Sequence, residues 1–315
     1  MPRSGPPKSP TDMASIRSYI VRYLSSQVIR KSKIATDPHA ARRDFDYRMT
    51  KLPSARGVSC RSENIDGVDC EWLVPDGCDD APLLYYLHGG AYIVGSPATH
   101  RRLVSYIARS SGMRAVLADY RLAPEHRYPA QLEDSLTVWH ALTKSGCDPG
   151  QIAIGGDAAG GNLSVAMMLA LRDAGELLPA ACFLISPWLD LAGDGESHRT
   201  RSSHDPWFTP EKMPALVANF CDPTQVYEPL VSPVHADVTG FPPTFIQVGD
   251  HEILLSDSTR LADNIRASDG RVDLHVWPDM WHVFQYFIGQ MPESRKAIED
   301  IGRFLRLEFS TAVVP

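Results

Sequence analysis

Seven short runs rich in apolar residues recur between residues 68 and 278: VDCEWLVP, PLLYYLHGG, MRAVLADY, QIAIGGD, ACFLISPW, PTFIQVGD and VDLHVWP. Each has the length of a strand, and several are apolar at consecutive positions, as strands buried on both faces are. Most alternate with amphipathic helical stretches, namely HRRLVSYIARS, QLEDSLTVWHALTK, GNLSVAMMLALRDAG and a final SRKAIEDIGRFLRLEF. Strand-helix-strand alternation of this kind predicts a mostly parallel central sheet with helices on both faces. At 315 residues the chain has room for one large α/β domain and an added cap.

Two segments fall outside that rhythm. Ser15 to Ile34 places Ile16, Ile20, Tyr23, Leu24, Val28 and Ile29 at spacings near three and four, a one-sided helical stripe that needs a surface to cover. Between Asp190 and Thr239 the strand pattern lapses, and loop chemistry is followed by a helical piece. Its Trp207, Phe208, Met213, Leu216 and Phe220 are too apolar for a floppy surface insertion, so the segment reads as a lid. The expected organisation is N-terminal cap helices over 1–50, a catalytic core over 51–189 and 226–315, and a cap insertion over 190–225. The first ten residues, MPRSGPPKSP, read as disordered.

A net charge of -7 disfavours nucleic acid and anionic membranes as partners. No apolar run near the start is long enough for a signal peptide, and none approaches the ~20 residues of a membrane span, so the expected location is the cytoplasm. Six scattered cysteines without CxxC spacing read as free thiols rather than a disulfide framework or a zinc site.

Two motifs carry chemistry. The strand QIAIGGD runs into Gly156-Asp157-Ala158-Ala159-Gly160-Gly161-Asn162 and then a helix. With serine at 158 this would be G-x-S-x-G, the strand-to-helix elbow of α/β-hydrolases, in which small residues two before and two after the centre clear a tight turn. The N–H of Ala159 and the helix dipole are then aimed at the site. The second motif is His88-Gly89-Gly90-Ala91-Tyr92 after PLLYYL, whose glycines let backbone N–H groups turn toward a developing oxyanion. Either could be an ordinary glycine turn by itself; together they point to an oxyanion hole of Gly89, Gly90 and Ala159.

HGGAY, DYRLAPEHRYPA (119–130), GDAAGGN and WPDMWHVF, in this order, together resemble the bacterial hormone-sensitive-lipase-like esterases from roughly Leu83 to the C-terminus. The resemblance implies an α/β-hydrolase fold, a helical cap from the N-terminal helices plus the 190–225 insertion, and hydrolysis of carboxylic esters with short or medium acyl chains. It also implies that Asp119, Tyr120, Arg121 and Glu125 brace the active-site loops. The family's elbow reads GDSAGG, so Ala158 stands where the nucleophile belongs and the chain as written should not turn over.

The remaining catalytic members follow from chain order. His282 falls in the loop before the last helix, where the final triad residue arrives, whereas His275 lies within a strand and reads as structural. For the acid, Glu252 in Glu252-Ile253-Leu254-Leu255 is favoured over Asp250, because a branch of the family uses a glutamate in that setting and His251 holds the commoner aspartate position. Tyr92, Asp157, Trp188 and Trp281 are the candidate substrate-binding residues, with Trp207 and Phe208 also at the pocket mouth. The chemistry needs no metal or organic cofactor, and the expected partner is a small-molecule ester; a homodimer is left open. Two readings of Ala158 stand: an esterase with its nucleophile removed, or a binding protein on a dead hydrolase scaffold, as in the plant gibberellin receptors. A purely structural domain would leave the glycines, carboxylate and histidine unexplained.

Overall fold

The computed structural model describes residues 14–29 and 32–310; the proline-rich start and residues 30 and 31 of the first helical stretch lie outside them. In chain order the elements are α1 (Ile16–Ile29), α2 (Pro38–Met49), β1 (Val58–Ile65), β2 (Val68–Pro75), β3 (Leu83–Leu87), α3 (Pro97–Ser111), β4 (Arg114–Ala118), α4 (Ala130–Lys144), β5 (Ile152–Asp157), α5 (Ala158–Asp173), β6 (Ala181–Ile185), α6 (Glu196–Thr200), α7 (Met213–Phe220), β7 (Thr244–Gly249), α8 (Leu255–Ala267), β8 (Val272–Trp277) and α9 (Pro292–Ser310).

Among the described residues eight strands form one sheet in the order β1-β2-β4-β3-β5-β6-β7-β8. From β4 through β8 every pairing is parallel, while β1 with β2 and β2 with β4 are antiparallel. Successive residues of the central strands serve opposite cores, as the two-residue period requires. Tyr85, Val116, Ile154 and Leu184 join Leu163, Trp139 and Leu261 of α5, α4 and α8 on one face. Leu84, Tyr86, Leu117 and Phe183 join Ile107 and Ile301 of α3 and α9 on the other. The expected α/β-hydrolase architecture, with helices on both faces, is what the chain adopts. β1 was not expected: its residues are almost all exposed and polar, and it pairs through the tight Asp66-Gly67 turn, both of whose residues have positive φ.

The 190–225 insertion contributes α6 and α7 above the carboxyl ends of the strands. Its Trp207, Phe208, Met213 and Leu216 share one cavity with Val28 and Ile29 of α1 and with Ala41 and Phe45 of α2. α2 is tied down by Arg42, whose Nε donates to Ile93 O (2.6 Å), whose Nη2 donates to Ala123 O (2.6 Å), and whose Nη1 pairs with Glu125 (2.7 Å).

α1 corrects one expectation. Val28 and Ile29 face the cavity, but Ile16, Ile20, Tyr23 and Leu24 of the apolar stripe point to solvent. The reason is polar docking of the opposite face: Ser18 and Ser26 are buried, Arg22 Nη1 meets His251 Nδ1 (2.7 Å), and Ser25 Oγ accepts from Trp207 Nε1 (3.2 Å).

Candidate active site

The elbow between β5 and α5 forms as its glycines dictate. A Cβ on Gly160 would run into the carbonyl oxygens of Leu87 and His88, and one on Gly156 into Gly160 O. Ala158, the first residue of α5, has φ +49°, a left-handed conformation that costs a non-glycine residue on the order of 1–3 kcal/mol. Its backbone is held by Trp188 N–H donating to Ala158 O (3.0 Å), and its side chain lines the cavity. Ala159 follows in the first turn of α5, where N–H groups have no intrahelical acceptor.

His282 lines the same cavity, and its Nδ1 lies 2.9 Å from Glu252 Oε2. Both are buried, and Oε1 of Glu252 accepts from Gly249 N–H (2.6 Å) and Ser186 O–H (2.7 Å). Three donors therefore converge on one carboxylate, which fixes the imidazole with Nδ1 protonated and Nε2 as its base. Asp250 sits elsewhere: its Oδ1 accepts from Asp279 N–H (2.7 Å), bracing the turn before His282.

Ser186 is the residue sequence reasoning missed. It has φ +45°, donates its N–H to Gln247 O (2.7 Å), and its Oγ also accepts from the N–H of Val283, itself at φ +45° (3.2 Å). Val283, β-branched and in that region, is a genuine outlier, held because the loops that follow β6, β7 and β8 meet at this hydroxyl. Position after ACFLI is the only signal the sequence offered, and it read as strand continuation.

A second buried carboxylate, Asp157, immediately precedes Ala158 at the end of β5. Its Oδ1 accepts from Tyr86 O–H (2.7 Å) and Gly89 N–H (3.0 Å), and Tyr286 O–H lies 3.2 Å from Oδ2 and against His100 Nε2. Burial raises its carboxyl, but His100, Tyr86 and Gly89 outweigh that and hold it below the usual range. Gly89 N–H is thus committed to Asp157, which corrects its place among the oxyanion donors: Gly90 (φ +121°) and Ala91 (φ +54°) are the residues of this loop that line the cavity. Behind this loop His88 is stacked on Tyr120 at 4.1 Å, and Tyr120 O–H donates to His88 O (2.5 Å). Arg121 pairs with Asp134 (2.8 Å) and Glu133 (3.0 Å), and Glu125 with Arg42.

The cavity holds about 280 Å³ and is mainly apolar. Of the four candidate substrate-binding residues, Asp157 and Trp188 line it. Tyr92 and Trp281 do not, for their rings are spent on packing: Tyr92 stacks on Phe220 at 3.8 Å and donates to Asn162 Oδ1 (2.8 Å), and Trp281 is buried against Phe287 at 5.7 Å. Trp207 and Phe208 meet His282 edge-on, with ring centroids 6.0 and 5.0 Å away. Among the described residues Asp190, Asp194 and His235 bring ligand atoms within 4.8 Å of one another. Asp190 is already occupied by Gly193 N–H (3.1 Å), Gly195 N–H (3.1 Å) and Arg260 (2.5 Å), which makes the cluster a loop brace.

Comparison with known proteins agrees with this geometry. A family model described as alpha/beta hydrolase fold matches residues 84–286. An acetyl-hydrolase of Streptomyces hygroscopicus is 41% identical over 236 residues, covering 75% of this chain and 79% of that protein. An esterase of Acinetobacter venetianus is 35% identical over 288 residues, covering 91% and 95%. The crystal structure of an esterase from the bacterial hormone-sensitive lipase family is 38% identical, with a TM-score of 0.89 over 94% of this chain and 99% of that one. The chain belongs to the alpha/beta hydrolase fold family and, within it, to the hormone-sensitive-lipase-like esterases.

Proposed function

We propose that this chain is a carboxylesterase for short- to medium-chain or aryl esters, working through a Ser-His-Glu acyl-enzyme cycle and present here with its nucleophile replaced by Ala158. The observation that carries the reading is the buried Glu252–His282 pair opening on the cavity that Ala158 also lines.

With serine at 158, the hydroxyl attacks the ester carbonyl while His282 Nε2 takes its proton and Glu252 stabilises the resulting imidazolium. The tetrahedral oxyanion is held by the N–H groups of Gly90, Ala91 and Ala159. Collapse expels the alcohol, which takes the proton back from His282, and water repeats the sequence on the acyl-enzyme. The small apolar cavity favours short acyl chains. In the alanine form the oxyanion donors and cavity remain, so ester binds without being cleaved.

Ala158 itself favours a second reading, a small-molecule binding protein on a hydrolase scaffold. An ester panel assayed on Ala158→Ser separates the two. Removing a hydrolase nucleophile costs about a million-fold in turnover, so restoring it should bring a gain of that order with aryl and short-chain esters. A folded serine variant inactive across the panel would leave the binding protein as the better account.

A further inference from the structure

α1 is inside out. Ile16, Tyr19, Ile20, Tyr23 and Leu24 are 80, 48, 55, 65 and 59% exposed, and their spacing puts all five on one face of the helix. Isolated exposed apolar side chains need no explanation, but a contiguous stripe of five marks a surface made to be covered.

Charge says by what. Residues 1–51 hold eleven Lys and Arg against four Asp and no Glu, in a chain whose net charge is -7. The whole-chain value therefore conceals a basic N-terminal segment on an acidic body. Arg17 on α1, Lys33 after it and Arg43 on α2 are exposed and have no acidic partner among the described residues. A second copy of the chain is a poor occupant, because a two-fold contact through this face would set one basic segment against another. An anionic lipid surface suits both features at once, since apolar side chains enter the headgroup region while cations meet the lipid phosphates.

We infer that the outer face of α1 docks this protein onto anionic lipid surfaces. Among the described residues no helix is long and apolar enough to cross a membrane, so the contact is one of lying on the surface. Val28 and Ile29 at the end of the same helix line the cavity, which places its mouth beside the lipid. Docking thus revises the expectation of no membrane partner that whole-chain charge had suggested. It goes beyond the esterase reading and needs no turnover.

The test is cosedimentation of the full chain with vesicles of equimolar phosphatidylcholine and phosphatidylglycerol, beside vesicles of phosphatidylcholine alone. Binding to the mixed vesicles is expected, weakened by salt and by Arg17→Glu. The double variant Ile20→Ser/Tyr23→Ser should weaken it by about ten-fold or more. Both side chains are exposed, so the variant keeps its core, which near-ultraviolet circular dichroism verifies. Absence of binding to the mixed vesicles, or equal binding by the double variant, overturns the inference. So does a concentration-dependent dimer in sedimentation velocity that the double variant abolishes without any vesicle binding, which assigns the face to a second copy. None of these outcomes bears on whether Ala158→Ser hydrolyses esters.

Discussion

The floor and the roof of the cavity are built on opposite rules. The floor, at the carboxyl ends of β3, β5, β6 and β7, is a closed network in which Glu252 and Asp157 each have several fixed donors. The roof, made of α1, α2 and the 190–225 insertion, meets the cavity with Ile29, Phe45, Trp207, Phe208, Met213 and Leu216. Its ties to the core are both polar and apolar: Arg42 and Arg22 reach core groups, Asp205 accepts from Ile253 N–H (2.9 Å), Tyr128 N–H donates to Phe220 O (2.9 Å), and Met213, Leu216 and Phe220 pack into the main apolar core. Charge development tolerates no reorganisation, so the floor is preorganised; selection by shape needs only apolar surface of the right volume. Floor substitutions should accordingly change rate at fixed preference, and roof substitutions preference at nearly fixed rate.

The largest effect that could break this division is at Glu252. In the Ala158→Ser background, Glu252→Gln should lower kcat by about 10³–10⁴-fold, whereas Asp250→Asn should stay within about ten-fold. All three partners of the Glu252 carboxylate are donors: Gly249 N–H, Ser186 O–H and His282 Nδ1. A glutamine that keeps its oxygen toward the first two turns its NH₂ onto Nδ1 and forces the proton to Nε2, where it blocks the base. Stopped-flow assay of both variants decides it, and the reverse ranking would shift the acid to Asp250.

The joint between the halves comes next. Arg42→Ala removes donors to Ile93 O, Ala123 O and Glu125 together, so unfolding stability should drop by roughly 1–3 kcal/mol. Urea melts measure the loss. An unchanged midpoint would mean that the roof is held by its other contacts without help from Arg42.

A smaller and more specific effect belongs to the roof. Met213 lines the cavity from α7, and Met213→Ala enlarges it without touching Glu252 or His282. In the serine background the ratio of kcat/KM for longer over shorter acyl chains should rise by about ten-fold, since one methylene in an apolar pocket is worth roughly 1–3 kcal/mol in discrimination. A uniform fall for all chain lengths would show that Met213 supports the chemistry and not the fit.

The same contrast explains what the sequence disclosed. β3, β5, β6 and β7 are buried on both faces and mostly apolar, and their runs matched to within a few residues for that reason, although β7 also buries the polar Thr244 and Gln247. β1 was illegible since its side chains are nearly all exposed and nothing but the Asp66-Gly67 turn marks it. Chain order brought forward His282, and resemblance to a family branch with glutamate in this setting brought forward Glu252. Tyr286, 129 residues from Asp157, and Ser186 could not be found that way, because their importance is created by the strand ends that bring them together. The exchange of Gly89 for Ala91 at the cavity depends on loop dihedrals, which glycine spacing does not encode. For α1, periodicity gave a stripe; which side of a helix turns inward is decided by partners such as His251 and Trp207 far along the chain.

The smallest expected effect is a change that should be absent. His88 is fully buried behind the oxyanion loop, stacked on Tyr120, with Nδ1 2.9 Å from Gly89 O and no partner at Nε2 among the described residues. Burial, together with the neighbouring His100, pushes its pKa down to about 3. A free imidazole titrates near ~6.5, so the folded protein binds fewer protons here than the unfolded chain at any pH between these values. The sign follows: the neutral ring favours the fold above ~6.5, and that contribution is lost as pH falls toward 3, by at most ~1.4 kcal/mol per pH unit. The ring ¹⁵N shifts of His88 should therefore stay fixed from pH 8 to pH 5. A titration centred near ~6.5 would mean that water and protons reach the back of the floor, and the floor would then be no more closed than the roof.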